Sequence, residues 1–287
     1  MKVLVTGASG FLGNHIITTL LKHKIDVIAT CTHEQGITHK LWRHSVEFFP
    51  YTLSDTEAIS TNLFNYFGKP DALIHLAWKG LPNYTNTAHI EDNFLQHYYF
   101  LKNLIENGLS NLTIAGTCLE YGMQEGELVE TMLYRSENPY ALCKNMLRES
   151  LQFLQTESDF SLKWVRLFYM YGEGQSSKSI IPQLEKALME GKTSFPMSPG
   201  NQQRDYLSVQ AVSENMLNIA LQKEVTGIIN CCSGQPVSVK QFIETYLETT
   251  QRQIKLETGV YPYATYEPMH FWGSTEKLNQ ITPYESH

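Results

Sequence analysis

Short apolar runs alternate along this chain with longer stretches in which apolar residues return every three or four positions. Lys2 to Thr6 (KVLVT), Asp26 to Thr30 (DVIAT), Val46 to Tyr51, Ala72 to Leu76, Asn111 to Gly116 and Leu162 to Leu167 are rich in branched apolar residues and short, which predicts strands. Between them, Ile16, Ile17, Leu20 and Leu21 form the apolar face of a helix starting near Phe11, and 56–67, 90–107 and 140–154 carry the same spacing. Strands and helices in strict alternation predict an α/β fold with a doubly wound parallel sheet, because parallel neighbours need a crossover. After Leu167 the texture changes to loops rich in Gly, Ser, Pro and Gln, with helices near 181–190, 212–221 and 239–249. The chain therefore divides into residues 1–168, which build the sheet, and a smaller region, 169–287, with segments returning to the first part.

Composition narrows the picture. Of 287 residues, 42% are hydrophobic, ample for a core, and the formal net charge of −7 disfavours nucleic acid and leaves no polybasic membrane patch. The first apolar run breaks at Gly7 and reads as a strand rather than a signal peptide, and no run approaches membrane-spanning length. A cytoplasmic protein is expected. Five cysteines, odd in number and without a C-x-x-C pair, read as reduced thiols and not as a disulfide framework or metal site.

"TGASGFLG" follows the first strand and places Gly7, Gly10 and Gly13 where the chain turns into the first helix. Bare backbone permits positive φ and close approach, and a helix N-terminus presents unpaired N–H groups and partial positive charge to an anion. A strand, a glycine turn and a helix in this order predict a dinucleotide pyrophosphate, so 1–168 reads as a dinucleotide-binding domain and 169–287 as mainly a substrate-binding region. Ligands of open parallel sheets lie at the carboxyl ends of the strands. Substrate is expected between the two parts.

In "NPYALCK", Tyr140 and Lys144 lie four apart at the start of a helix that Pro139 can open, so they share a face. An adjacent ammonium favours the ionised phenol, bringing Tyr140 closer to acid–base work near neutrality. Thr117 follows the strand 111–116 at the same sheet edge as the glycine turn, and its hydroxyl can hydrogen-bond a substrate oxygen.

With these residues in place the chain resembles the extended short-chain dehydrogenase/reductase family, the nucleotide-sugar epimerases, dehydratases and ketoreductases. The stretches that carry the likeness are "TGASGFLG", "HLAW" at 75–78, Asn93, "GTCLEYG" at 116–122, "YALCK" at 140–144, "RLFYMYGEGQ" at 166–175, "RDYLSV" at 204–209 and "NCCSGQPVSV" at 230–239. The resemblance implies a Rossmann sheet of the extended type and a catalytic set of Thr117, Tyr140 and Lys144, with Tyr140 exchanging a proton with a sugar hydroxyl or keto oxygen. It implies cofactor contacts from Gly7, Ser9, Gly10, Phe11, Leu12, Gly13, Thr30, Leu53, Leu76, Ala77, Trp78 and Asn93 as well as from Tyr140 and Lys144. Thr117, Tyr169 and Arg204 would meet the substrate, Arg204 through its diphosphate; a surface ion pair between Arg204 and Asp205 is the alternative. A homodimer through 90–107 and 140–154 is also implied.

Departures from the family pattern narrow the reaction. Cys118 and Leu119 stand where sugar 4,6-dehydratases carry an acidic pair, so dehydration is disfavoured. Tyr169 replaces a common asparagine and Gln210 an aspartate. Thr30 ends the second strand where NAD-binding relatives carry a carboxylate, and His33, Lys40 or Arg43 could approach a 2′-phosphate, which favours NADP(H), with NAD(H) as the alternative. The stretches 115–122 and 261–278 resemble the branch containing dTDP-4-keto-6-deoxyglucose reductases, which make dTDP-fucose, and its relatives acting on CDP-sugars. The expected activity is therefore NAD(P)H-dependent reduction at C4 of a nucleotide-linked 4-keto-6-deoxyhexose; a 4-epimerase with retained NAD and a non-enzymatic dinucleotide sensor are the competing readings.

Overall fold

A computed structural model of the chain describes residues 1–53, 61–263 and 268–284. Seven strands form a parallel sheet: β1 (Lys2–Thr6), β2 (Asp26–Thr30), β3 (Glu47–Phe48), β4 (Ala72–His75), β5 (Asn111–Thr117), β7 (Ser161–Leu167) and β11 (Gly227–Cys231). Their order is β11-β7-β5-β4-β1-β2-β3. The chain runs outward from β1 to β3, then crosses back to β4 on the other side of β1. That reversal opens a crevice at the carboxyl ends of β1 and β4, where a doubly wound sheet binds ligands.

Side chains alternate across the sheet, so each strand feeds two cores. Val3, Val5, Val27, Ala29 and Val165 pack with Ile16, Ile17 and Leu20 of α1 (Phe11–Lys22) and with Val212, Met216 and Leu217 of α6 (Val209–Leu221). Leu4, Ile28, Leu73, Leu112 and Trp164 point the other way, toward Phe100, Leu101 and Leu104 of α3 (Phe94–Glu106) and Leu147 and Leu151 of α4 (Pro139–Leu154). Each fully buried aliphatic side chain contributes roughly 1.5–3 kcal/mol.

The short helix α2 (Leu63–Tyr66) covers part of the helical pattern predicted over 56–67; residues 56–60 lie outside the described residues. The pattern over 90–107 divides into a wide turn at His89–Asn93 and α3. At the sheet's edge, β3 is shorter than the predicted 46–51, although the Phe49 and Tyr51 N–H groups continue to donate to Ala29 and Cys31 at 3.1 Å.

The remaining strands form three small sheets. β8 (Tyr169–Tyr171), β10 (Gln203–Ser208) and β12 (Pro236–Ser238) form one small sheet, β9 (Ser194–Pro196) and β13 (Lys255–Glu257) another, and β6 (Gly126–Leu128) pairs with β14 (Phe271–Gly273). Helices α5 (Ile180–Met189) and α7 (Val239–Thr249) enclose a separate cluster of Leu184, Phe195, Met197 and Ile243. Segments from beyond residue 168 return to the main body: β11 extends the large sheet beside β7, α6 covers one of its faces, and Leu278, Ile281 and Tyr284 pack against the same core.

Candidate active site

A cavity of about 500 Å³ opens at the carboxyl ends of β1, β2 and β4, lined by Gly7, Ser9, Gly10, Thr30, Leu53, Leu76, Ala77 and Trp78 among others. Gly7 has φ +70°, and a Cβ there would lie 2.9 Å from the Ala77 nitrogen. Gly10 is the N-cap of α1, with no side-chain cap and no acidic residue in the first turn, so the N–H groups of that turn face the cavity without a competing carboxylate. Gly13 lines neither this cavity nor the next: its Cβ would fall 2.3 Å from the Gly7 oxygen. That glycine lets the helix close on its own turn rather than on a ligand.

Thr30 is buried at the cavity wall, and its Oγ1 has no hydrogen-bond partner. Of the three basic residues expected near it, only His33 lines the cavity. Arg43 is drawn off by an ion pair with Glu34 and lies 5.2 Å from the Phe48 ring centroid. Lys40 is not part of the lining.

A second cavity, about 630 Å³, adjoins the first along Leu76 and Trp78 and reaches under the second region. Phe11 and Leu12 line it, together with Thr117, Tyr140, Lys144, Tyr169 and Arg204. The sequence places Tyr140 and Lys144 there by a well-capped helix start. Asn138 Oδ1 accepts from the Ala141 N–H at 2.9 Å, Pro139 occupies the first turn, and the Tyr140 N–H donates to the Tyr84 carbonyl at 3.2 Å. Lys144 Nζ donates to the Ala115 carbonyl at 2.9 Å and lies 5.9 Å from the Tyr140 ring centroid. No aspartate or glutamate lines this cavity among the described residues.

Glu120, the nearest carboxylate in sequence to Thr117, is wholly buried and committed elsewhere. It accepts from the Thr117 N–H at 2.8 Å, from Trp164 Nε1 at 2.9 and 3.0 Å, and from Arg166 Nε at 2.9 Å. Together with the Leu119 N–H donating to Thr117 Oγ1 at 3.3 Å, this closes a capping box around the turn after β5. The T-x-x-E spacing announces that box in the sequence; what only the fold reveals is the Arg166 and Trp164 partnership.

Two expectations change. Asn93 lines neither large cavity; its amide donates to the Lys79 carbonyl at 2.9 Å and faces His89 Nδ1 at 3.1 Å, so it holds the segment behind the site. Tyr140 is not drawn toward neutrality by Lys144. Burial raises its pKa well above the phenolic value, with the charges of Glu120, Tyr84 and Cys118 adding and a hydrogen bond with Thr117 opposing. Lys144 is itself pushed down to about 7 by burial, against the pull of Glu120 and Cys143. For Arg204 it is the alternative that falls away, since it forms no surface ion pair with Asp205. Its guanidinium is buried 4.8 Å from the Phe271 ring centroid and donates to the Gln203 carbonyl at 2.8 Å. Asp205 instead accepts from the N–H groups of Ser233, Gly234 and Gly273.

Sequence reasoning missed the packing behind the site. His75, at the end of β4, bonds to Thr6 Oγ1 at 2.8 Å and to His97 of α3 at 2.7 Å. His97 stacks on Trp78, centroids 4.4 Å apart. A histidine on the apolar stripe of α3 was the one available signal.

A glycine-turned parallel sheet with adjoining cavities at its switch point, one of them holding a buried Tyr–Lys pair, defines a Rossmann-type α/β protein. The chain belongs to the NAD dependent epimerase/dehydratase family, which its residues 3–232 match. It is 28% identical over 275 residues to dTDP-6-deoxy-L-talose 4-dehydrogenase (NAD(+)) of Aggregatibacter actinomycetemcomitans, covering 96% of this chain and 100% of that one. With dTDP-4-dehydro-6-deoxyglucose reductase of Escherichia coli it shares 23% identity, over 85% of this chain and 80% of the relative. Its fold matches the solved structure of MoeE5 in complex with UDP-glucuronic acid and NAD with a TM-score of 0.82, at 22% identity over 99% of this chain and 94% of that one. The chain is thus of the extended short-chain dehydrogenase/reductase type, and the curated relatives it resembles are named for reactions of nucleotide sugars.

Proposed function

We propose that this enzyme reduces the C4 keto group of a nucleotide-linked 4-keto-6-deoxyhexose, with dTDP-4-keto-6-deoxyglucose as the first substrate to try and dTDP-fucose as its product. The observation that carries the reading is the carboxylate-free lining of the second cavity. Removing water across C5 and C6 needs an acid and a base, which Cys118 and Leu119 cannot supply and Glu120, locked to Arg166, cannot reach. A ketone reduction needs only one proton donor. Tyr140, held protonated by burial, would give its proton to the C4 oxygen, Thr117 would hydrogen-bond that oxygen, and the ammonium of Lys144 would favour the phenolate left behind. A bound nicotinamide supplies the hydride. Arg204 would meet the diphosphate, and Tyr169 the sugar.

For the cofactor we infer NAD(H) rather than NADP(H). The likeness to an NAD(+)-dependent 4-dehydrogenase supports this, and so does the engagement of Arg43 by Glu34, which leaves His33, of the three basic residues expected near Thr30, in the cavity lining. We further propose a cytoplasmic homodimer joined through α3 and α4, on whose surfaces Leu95, Tyr99 and Phe153 are exposed.

Purified enzyme given dTDP-4-keto-6-deoxyglucose should consume one NADH per sugar, faster than NADPH, and leave dTDP-glucose untouched. Isomerisation of a nucleotide sugar without added cofactor would make it an epimerase, conversion of dTDP-glucose to a keto sugar a dehydratase, and dinucleotide binding without turnover of any nucleotide sugar a sensor.

A further inference from the structure

Trp78 occupies the wall shared by the two cavities, and its indole is fixed from three directions. Its Nε1–H donates to His89 Nδ1 at 3.1 Å. One face stacks on His97, with an interplanar angle of 16°. The ammonium of Lys144 sits 3.9 Å from its ring centroid.

The supports behind the ring are themselves ordered. Thr6 Oγ1 accepts from the Leu76 and Ala77 N–H groups at 3.1 and 3.2 Å, so its hydroxyl proton goes to His75 Nδ1, and His75 Nε2–H then donates to His97 Nδ1. His89 Nε2 donates to the Asn83 carbonyl at 2.8 Å, leaving Nδ1 to accept from both Trp78 and Asn93. No rotation of the indole is available without breaking one of these contacts.

An ammonium has three N–H donors. One belongs to the Ala115 carbonyl, and the ring face takes up a second direction, which leaves the third for the cavity that Thr117 and Tyr140 line. We infer that Trp78 is a positioning residue for Lys144: its π face holds the charged amine in place, directs its remaining donor into the site and favours the charged form. The inference rests on the reading of Lys144 as part of the catalytic set.

The groups facing Lys144 are Glu120 from the turn after β5, Tyr140 and Cys143 on its own helix, His75 at the end of β4 and His97 on α3; Lys79 lies beyond His97. Burial lowers both histidines, so neither contributes charge near neutrality. Glu120, with a smaller pull from Cys143, and the ring are therefore what favour the ammonium against burial.

Trp78→Phe and Trp78→Leu both lose the bond to His89 and differ in the π face. Titration of the Lys144 side chain by lysine-selective ¹³C NMR of the full chain, its signal assigned by Lys144→Met, should place its pKa in the order parent, Phe, Leu, with Leu roughly one unit below the parent. The alkaline limb of kcat/KM should move down in the same order. Should Trp78→Leu fail to fold, Trp78→Met offers the same apolar replacement. Equal Lys144 titration in the Phe and Leu variants, or a higher pKa in Leu, would overturn the inference. The titration needs no turnover, so it decides this point even if the enzyme reduces none of the sugars offered.

Discussion

Tyr140 and Lys144 are displaced from their ordinary ionisation by the same cause in opposite senses: burial keeps the proton on the phenol and loosens it on the amine. A donor that holds its proton suits reduction, in which a proton must reach the C4 oxygen as hydride reaches the carbon. Tyr140→Phe should lower turnover by on the order of 100-fold or more, the scale for losing a positioned general acid, while leaving dinucleotide affinity close to that of the parent. Stopped-flow turnover and fluorescence titration with NADH separate the two effects. A variant that turns over normally would take Tyr140 out of the mechanism.

At the scale of elements, the glycines of the first turn divide the work. Gly7 accepts a left-handed conformation against Ala77, Gly10 leaves the N-terminus of α1 open, and Gly13 lets the helix approach the turn. A methyl group at residue 13 would meet a backbone oxygen at 2.3 Å, where no side chain can swing aside, whereas one at residue 10 would lie 3.2 Å from that same oxygen. Gly13→Ala should therefore cost about 1–3 kcal/mol, the usual range for overpacking, and weaken NADH binding through the displaced turn. Gly10→Ala should unfold near the parent and lose affinity alone. Thermal unfolding with and without NADH measures both, and a Gly13→Ala protein as stable as the parent would show that the helix can shift at little cost.

Across the whole molecule, the buried bases make stability depend on pH. His75 is held down to about 3, chiefly by burial and secondarily by the charge of Lys144, so between its ordinary 6.5 and about 3 the unfolded chain binds more protons than the folded one. Its contribution is complete above 6.5 and is lost as pH falls through that window; His97 acts in the same direction. Lys144 obeys the same sign higher up, stability rising with pH from about 7 to 10.5, with the full cost of its buried charge borne below 7. Lys144→Met should accordingly be more stable than the parent at pH 6, by on the order of a few kcal/mol, with the advantage shrinking toward pH 10. Urea unfolding at the two pH values reads the difference. An advantage independent of pH would mean that the amine is not desolvated as described. No helix among the described residues is long and apolar enough to cross a membrane.

Periodicity and punctuation are local properties, and whatever depends on them was legible in the sequence. β1, β2 and α7 span the residues their patterns indicate, the glycine turn lies against the first cavity, and Thr117, Tyr140 and Lys144 line the second. Long-range pairing was not legible. Gly227–Cys231 lies in loop-rich sequence and becomes a strand because β7 offers an open edge, while β3 is a short edge strand that, among the described residues, pairs with β2 alone. Burial is likewise a property of the assembled fold. It reversed the expected shift of Tyr140, carried Asn93 behind the site and committed Glu120 to Arg166, because desolvation depends on neighbours that are distant along the chain and meet only when the sheet closes. The residue types that can do chemistry are written in the sequence; which of them face the cavity, and in what charge state, was decided by the packing of α3, α4 and the second region around the sheet's carboxyl edge.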